Sequence, residues 1–304
     1  MKLKVKNYRF KQQIILQSMI IPAVIVTLIF SYIPMYGITI AFKDFHITEG
    51  IWGSPWSGLK YFHEFLTDFN ILNVIRNTLV LNVLGTVICF PAPILLAILI
   101  NELSPGLFKK TAQTISYLPH FLSWVIFAGL ILEMLRPGGI ASDLAIALGL
   151  SEEAVNFMAK GQWFYGIFIV SNLIKGLGYG SIIYVAALSG VDQEVCEAAI
   201  VDGCSRLQKI WYVMLPSILG TIVIMLILQI GSLLNTGIEQ VLMFQNSLNM
   251  NYSETLDTYV YKIGVAQGRF SYSTAVGLLK SVVSVMLLVS ANWISNKLTE
   301  KSLF

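Results

Sequence analysis

Apolar residues along this chain neither alternate nor keep to one helical stripe; they come in long, nearly unbroken runs. Six runs reach the length of about 20 residues that a helix needs to cross a bilayer. They cover residues 14–42, 74–100, 115–135, 163–188, 218–243 and 272–294. The pattern predicts an all-α integral membrane protein of six transmembrane helices, the first two long enough to tilt or to extend past the interface. Polar stretches rich in turn residues separate the runs, at 50–58, 104–106, 137–139 and 246–251. No internal repeat interrupts the series. Residues 14–304 therefore read as a single transmembrane domain behind a short basic segment, residues 1–13.

Composition agrees and excludes other classes. Of 304 residues, 56% are hydrophobic and only 12% charged, against roughly a quarter charged in an ordinary soluble domain. The net charge of +3 is too small for a nucleic-acid footprint, so no nucleic acid is expected among the partners. Cys89, Cys196 and Cys204 have no paired spacing, and His46, His63 and His120 share none either. No disulfide framework, metal site or catalytic pair follows.

Lys2, Lys4, Lys6, Arg9 and Lys11 precede the first apolar run, as they would in a secretory leader. That run continues to Phe42, far beyond the roughly 7–15 residues of a leader's core, and has no small-x-small cleavage site. It is expected to be a retained first span. With the N-terminus in the cytoplasm, the inner segments also hold Lys109, Lys110, Arg206, Lys209, Lys297 and Lys301, eleven basic residues in all. The outer segments hold seven: Lys43, Lys60, Arg136, Lys160, Lys262, Arg269 and, at the mouth of the second span, Arg76. The excess favours a plasma-membrane protein with both termini cytoplasmic. Trp52, Trp56, Tyr61 and Trp163 then fall where an interfacial aromatic belt would be.

One inner connector is more than a linker. Residues 191–216 read VDQEVCEAAIVDGCSRLQKIWYVMLP. Asp192 to Val201 is helix-compatible, with Ala198 and Ala199 allowing close packing. Asp202-Gly203 supplies a turn, and Ser205 followed by Gln208 fits a capping box that restarts a helix. Leu207, Ile210, Trp211 and Met214 recur at helical spacing and predict one apolar face. Pro216 stands where the next span begins. On these grounds the segment is a helix–turn–helix along the inner surface, which fits either an interfacial pair dipping Trp211 into the headgroups or a docking element.

Glu197-Ala198-Ala199, Asp202-Gly203 two residues later, and Leu215-Pro216 twelve residues after the glycine resemble the Glu-Ala-Ala loop of binding-protein-dependent ABC importer permeases. Cys204 stands where that family usually has alanine. The resemblance implies a type I importer permease bundle whose loop is a coupling helix seated in a cleft of a cytoplasmic ATPase. Glu197, Ala198, Ala199, Asp202, Gly203, Leu207, Ile210, Trp211, Leu215 and Pro216 would form that joint. It further implies a dimer of ABC ATPases, a second and paralogous permease, and an extracytoplasmic solute-binding protein, with ATP and magnesium bound by the ATPase rather than by this chain. Residues 31–45 (SYIPMYGITIAFKDF), 54–62 (SPWSGLKYF) and 117–124 (YLPHFLSW) are similar to permeases of oligosaccharide importers, in the branch that takes up pectin- and alginate-type breakdown products.

Within the runs, Lys175 and Lys280 are costly in hydrocarbon and so are expected to face protein or water. Each is open to two readings: pairing with a carboxylate such as Glu133 or Glu239 (or snorkelling), or lining the substrate path to meet an anionic sugar. Asn172, Tyr179, Gln229, Ser232 and Asn235 fall in the fourth and fifth runs, where they suit sugar contacts or interhelical hydrogen bonds equally. No GxxxxGK[ST] phosphate loop is present, so the chain is not expected to hydrolyse ATP itself. The alternatives are an ion-coupled secondary transporter and an ABC permease for a non-sugar solute. The first would call for inverted repeats and deep carboxylates, neither of which the sequence displays.

Overall fold

The computed structural model describes the backbone of residues 2–299 and the side chains of residue 13 and residues 16–297. Lys301, and the side chains of Lys2, Lys4, Lys6, Arg9 and Lys11, lie outside the described residues. Apart from one isolated bridge between Lys43 and Trp56, the described residues form only helices and turns. Among the described residues six helices are long and apolar enough to cross a membrane: Leu16–Phe42, Ile71–Glu102, Trp124–Ala147, Trp163–Ser189, Arg206–Gly231 and Phe270–Lys297. The count is the expected one; the third and fifth spans differ from expectation.

The third run is not one helix. Leu107–Tyr117 is helical, Leu118–Phe121 tightens into a 3₁₀ turn, and the chain extends at Leu122 and Ser123 before Trp124–Leu135 begins. Pro119 lacks an N–H to continue the ladder, and the Ser123 hydroxyl accepts from the Ile126 N–H at 3.3 Å, capping a new helix. The fifth span lies twelve residues earlier than the expected 218–243 at both ends. The chain leaves the helix at Gly231, turns through residues 232–237, and forms a short helix, Ile238–Phe244, packed against Trp124–Leu135 and Trp163–Ser189. The apolar tail of the run is thus a separate short helix, cut off by Asn235, Thr236 and Gly237. Pro216 does not start the span either. Ile210–Met214 is a π segment in which the Leu215 N–H reaches back five residues to the Ile210 carbonyl, and this slack lets proline sit within a continuous helix.

Two compact units partition the contacts: residues up to 67 with 263–279, and residues 68–262 with those from 280 onward. In the first unit, the buried Lys43 ammonium donates to the Ile51 carbonyl at 2.7 Å and lies 5.1 Å from the Trp56 ring. Arg269 pairs with Glu64 at 2.5 Å, and this bond holds the guanidinium pKa above its ordinary value. The Tyr61 hydroxyl donates to Asp44 at 2.5 Å. That bond draws the Asp44 carboxyl below its usual range, and burial, with the carboxylate next, pushes the Tyr61 phenol up to about 12.

The second unit has two apolar clusters. One gathers Leu81, Ala128, Phe164, Phe168, Val241 and Phe244; the other gathers Ile94, Ala97, Tyr184, Leu188, Met214 and Ile218. In a bilayer such clusters hold by close packing rather than by escape from water, so small residues matter at contacts. Gly178 is one: a Cβ there would collide with the backbone carbonyl of Ser116, so only glycine lets the fourth span touch Leu107–Tyr117.

Candidate coupling loop and intramembrane cavity

The segment 191–216 folds by local rules. Asp192 caps Gln193–Val201 through the Glu194 N–H at 2.9 Å. The helix ends in a Schellman turn: the Gly203 N–H donates to the Ile200 carbonyl and the Cys204 N–H to the Ala199 carbonyl, both at 3.0 Å. Gly203 has φ +84, a region that costs a side chain about 1–3 kcal/mol. Ser205 and Gln208 form the expected capping box, with the Ser205 N–H donating to Gln208 Oε1 at 2.8 Å. The expected single apolar face, however, divides. The π segment rotates it, so that Met214 is buried and Ile210 packs beside it, whereas Leu207 and Trp211 remain 69% and 66% exposed. Nor is the second helix a separate surface element, since Arg206–Gly231 is continuous.

Glu197, Ala198, Asp202 and Gly203 are exposed, Ala199 and Leu215 half-buried, and Pro216 exposed. Val195, Ile200, Val201 and Tyr212 add apolar surface around them, with Val201 at 87% exposure. Lys209 fastens the loop to the end of the second span through Glu102 at 2.9 Å, both side chains being about four-fifths covered. Glu102 carried no sequence signal for this role; it closes an apolar run 107 residues from its partner, and only the fold brings them together.

Between the second, fourth and fifth spans lies a cavity of about 230 Å³ lined by Cys89, Pro93, Asn172, Tyr184, Met225 and Gln229, among others. Gln229 Nε2 donates to Thr86 Oγ1 at 3.5 Å. Of the residues considered for a substrate path, this cavity takes Asn172 and Gln229 and leaves the others out. Ser232 and Asn235 are not in a span at all, because the helix has ended at Gly231. Tyr179 stacks on His120 with ring centroids 3.8 Å apart.

The two intramembrane lysines are engaged elsewhere, and with neither Glu133 nor Glu239. Lys175 is buried at 7% exposure and donates to the carbonyls of Pro119 (3.2 Å), His120 (3.0 Å) and Leu122. These carbonyls lie where the third run breaks; Pro119 also accepts from the Leu122 N–H at 3.4 Å, and the lysine supplies a donor that hydrocarbon could not. The rings of Trp124 and Phe127 lie 5.2 and 5.6 Å from the same ammonium. Lys280 pairs with Asp257, whose other oxygen accepts from the Thr236 N–H at 2.8 Å and the Thr236 hydroxyl at 3.1 Å. Glu133 pairs instead with Arg136 at 2.7 Å. Asp257 was not singled out by the sequence, nor was the buried Asn77, which donates to the carbonyls of Asn251 and Glu254 at 3.0 Å and accepts from Tyr165 at 2.6 Å.

Comparison with known proteins assigns the family. The profile described as "Binding-protein-dependent transport system inner membrane component" matches residues 72–300. The chain is 43% identical over 294 residues to the polygalacturonan/rhamnogalacturonan transport system permease protein YteP of Bacillus subtilis (strain 168), covering 96% of this chain and 91% of that one. It is 42% identical over 290 residues to protein LplB of the same organism, covering 95% and 91%. Among solved structures it is similar to a chain of a bacterial ABC transporter involved in the import of the acidic polysaccharide alginate, with a TM-score of 0.86, 35% identity, and 96% and 98% of the two chains covered. A second structure, of the bacterial alginate ABC transporter in complex with an alginate pentasaccharide-bound periplasmic protein, gives a TM-score of 0.87 at 34% identity, covering 97% and 98%. The chain therefore belongs to the binding-protein-dependent transport system inner membrane components: it is a multi-pass permease with the type I ABC importer fold, not an enzyme.

Proposed function

We propose that this chain is the permease subunit of an ATP-driven importer for oligosaccharides that carry uronate groups, and that the loop 191–216 is its joint with a partner ATPase. The observation that carries the reading is the loop itself. It keeps the importer-permease spacing from Glu197 to Pro216, in a chain collinear over 97% of its length with a permease of an alginate importer. The acidic substrate class rests on two relatives, one named for polygalacturonan and rhamnogalacturonan and one for alginate.

The geometry suits a mechanical joint. Exposed Val195, Ile200, Val201, Leu207 and Trp211 make a ridge for a cleft in the ATPase, with Glu197, Ala198, Ala199, Asp202 and Gly203 at its turn. A push there enters the helix Arg206–Gly231 directly. Gln229 lies about 35 Å along that helix at 1.5 Å per residue, beside the cavity that also holds Asn172. The Lys209–Glu102 pair carries the same push into the second span. In this scheme the ATPase dimer binds ATP and magnesium, a second, paralogous permease completes the pore, and an extracytoplasmic binding protein delivers the sugar. A neighbour solved with its periplasmic binding protein supports the last of these partners. Both termini are cytoplasmic in this reading, and residues 14–304 act as one transmembrane domain.

The test is uptake of labelled oligogalacturonates by cells that carry or lack this chain. Uptake should disappear with the chain and equally with its partner ATPase. Uptake that survives loss of the ATPase overturns the reading.

A further inference from the structure

Away from the cavity just described, the second unit carries two hollows of about 420 and 400 Å³, and they adjoin, since Ala141, Phe157 and Trp163 line both. The first runs between Trp124–Leu135 and Trp163–Ser189, over Met134, Gly166 and Val170. Its one polar side chain, Ser171, turns its hydroxyl onto the carbonyls of Ile167 and Phe168, the latter at 3.1 Å. The wall therefore offers a sugar nothing to bind, and an apolar slot of this kind favours hydrocarbon over water. Gly166 opens into it: a Cβ built there meets no atom within 4 Å.

The second hollow follows the short helix Ile140–Ala147 and the turn after it, where Leu144, Leu148 and Leu150 are 56%, 71% and 78% exposed, and Lys160 also lines it. Lys160 takes part in none of the ion pairs among the described residues. At the junction Phe157 and Trp163 meet edge to face with centroids 5.6 Å apart, and Trp163 is half exposed. A tryptophan and a lysine so placed are the usual anchors of the boundary between hydrocarbon and headgroups. Together the two hollows run from Val170 and Ile174 within the fourth span to Trp163 at its start, where Lys160 stands outside the ion pairs of the described residues. A sterically open apolar wall with one ammonium on its lining complements one kind of molecule, an acyl chain attached to a phosphate.

We propose that this groove is a resident phospholipid site, with an acyl chain lying against Met134, Gly166 and Val170 and the phosphate held by the Lys160 ammonium. The site is distinct from the cavity at Asn172 and from the loop 191–216, and it does not depend on which solute is imported.

The test uses the whole importer complex reconstituted with phosphatidylethanolamine whose acyl chain carries a photoreactive diazirine, and, separately, with diacylglycerol bearing the same chain. In the unaltered protein the labelled peptides should include residues 131–135 and 163–174, with the phospholipid labelling them about fivefold more than diacylglycerol, the effect of roughly one lysine–phosphate attraction. Gly166→Phe fills the slot and should cut that labelling about fivefold, the equivalent of roughly 1 kcal/mol of displaced contact, while labelling of the exposed first span stays constant. Lys160→Gln, a surface change that does not threaten folding, should erase the difference between the two lipids. The proposal is overturned if labelling of the groove is insensitive to Gly166→Phe, if Lys160→Gln leaves the preference intact, or if the groove peptides crosslink to another polypeptide instead of lipid.

Discussion

The middle of the fourth span and the loop 191–216 handle their polar and apolar groups in opposite ways. At Lys175 everything is consumed internally: one ammonium satisfies three carbonyls and lies beside two aromatic rings, at 7% exposure. In the loop, the backbone is satisfied by caps and a Schellman turn, but the side chains are left outward, with Val201 at 87% and Leu207 at 69% exposure. One region is finished by the chain itself; the other is satisfied along its backbone and leaves its side chains outward, for the partner proposed above. Disturbing the first should damage the fold, whereas disturbing the second should damage assembly and coupling and leave the fold alone.

The largest effect is expected at Lys175. Lys175→Met keeps the volume but removes this donor from the carbonyls of His120 and Leu122 and leaves Pro119 only its 3.4 Å bond from the Leu122 N–H, at roughly 1–3 kcal/mol for each buried acceptor left unsatisfied. The chain should be depleted from membranes and melt far below the parent in detergent, and Lys175→Arg should recover part of the loss. Normal abundance and melting in Lys175→Met would erase the contrast between the two regions.

Next comes Gly203→Val. A β-branched residue at φ +84 costs about 1–3 kcal/mol, concentrated in the exposed turn. The variant should reach the membrane in normal amount yet lose most of its ATPase partner on purification, and substrate-stimulated ATP hydrolysis should fall about tenfold, the equivalent of roughly 1.4 kcal/mol. Glu197→Lys should act in the same direction without straining the backbone. Unchanged co-purification and stimulation in both variants would refute the docking role.

The same contrast explains what the sequence made legible. Membrane class, span number, the Asp202-Gly203 turn and the Ser205–Gln208 capping box were readable because each is set within a few residues. The partners of Lys175 and Lys280 were not, because Leu122 and Asp257 lie 53 and 23 residues away and look like ordinary chain until the fold closes. The displaced fifth span has a related cause. Residues 207–214, which open the span, and 238–244, which follow its end, are both rich in apolar side chains, so hydropathy alone could slide the window either way, and the choice fell to Gly237 and the π segment. Asn172 reached the cavity because it lies on one face of the fourth span with Gly176 and Gly180, four and eight residues on, a face that Lys175 and Tyr179 do not share; Ser232 and Asn235 missed it because their helix had already ended.

A smaller effect should separate fastening from docking within the loop. Lys209 and Glu102 are partly covered, so reversing one charge should cost about 1 kcal/mol and reversing both should restore most of it. In Lys209→Glu the ATPase should stay bound while stimulated hydrolysis drops a few-fold, and Glu102→Lys together with Lys209→Glu should recover it. Loss of ATPase binding in the single variant would assign Lys209 to the docking surface instead.

The smallest effect is expected in the first unit, where Tyr61 and Asp44 form a finished pair like that of Lys175 but near water. Burial first, and the Asp44 carboxylate second, raise the Tyr61 phenol to about 12, so the folded state favours the neutral phenol. The stability this contributes is complete below the ordinary phenol value of about 10 and fades as pH rises from there towards 12. On the acid side the depressed Asp44 carboxyl contributes above its ordinary value of about 4, and that contribution fades as pH falls through its lower folded value. Tyr61→Phe should therefore lower the melting temperature by a few degrees at pH 7, in keeping with a lost hydrogen bond of about 1 kcal/mol. The gap between variant and parent should narrow towards both pH extremes. Because Tyr61 stays protonated in the folded chain, Tyr61→Phe should leave the phenolate absorbance at pH 10 unchanged. A drop of about half of one tyrosinate's absorbance, as an ordinary phenol gives at pH 10, would mean that the pair is open to solvent and that being finished by its own chain is a property of membrane depth alone.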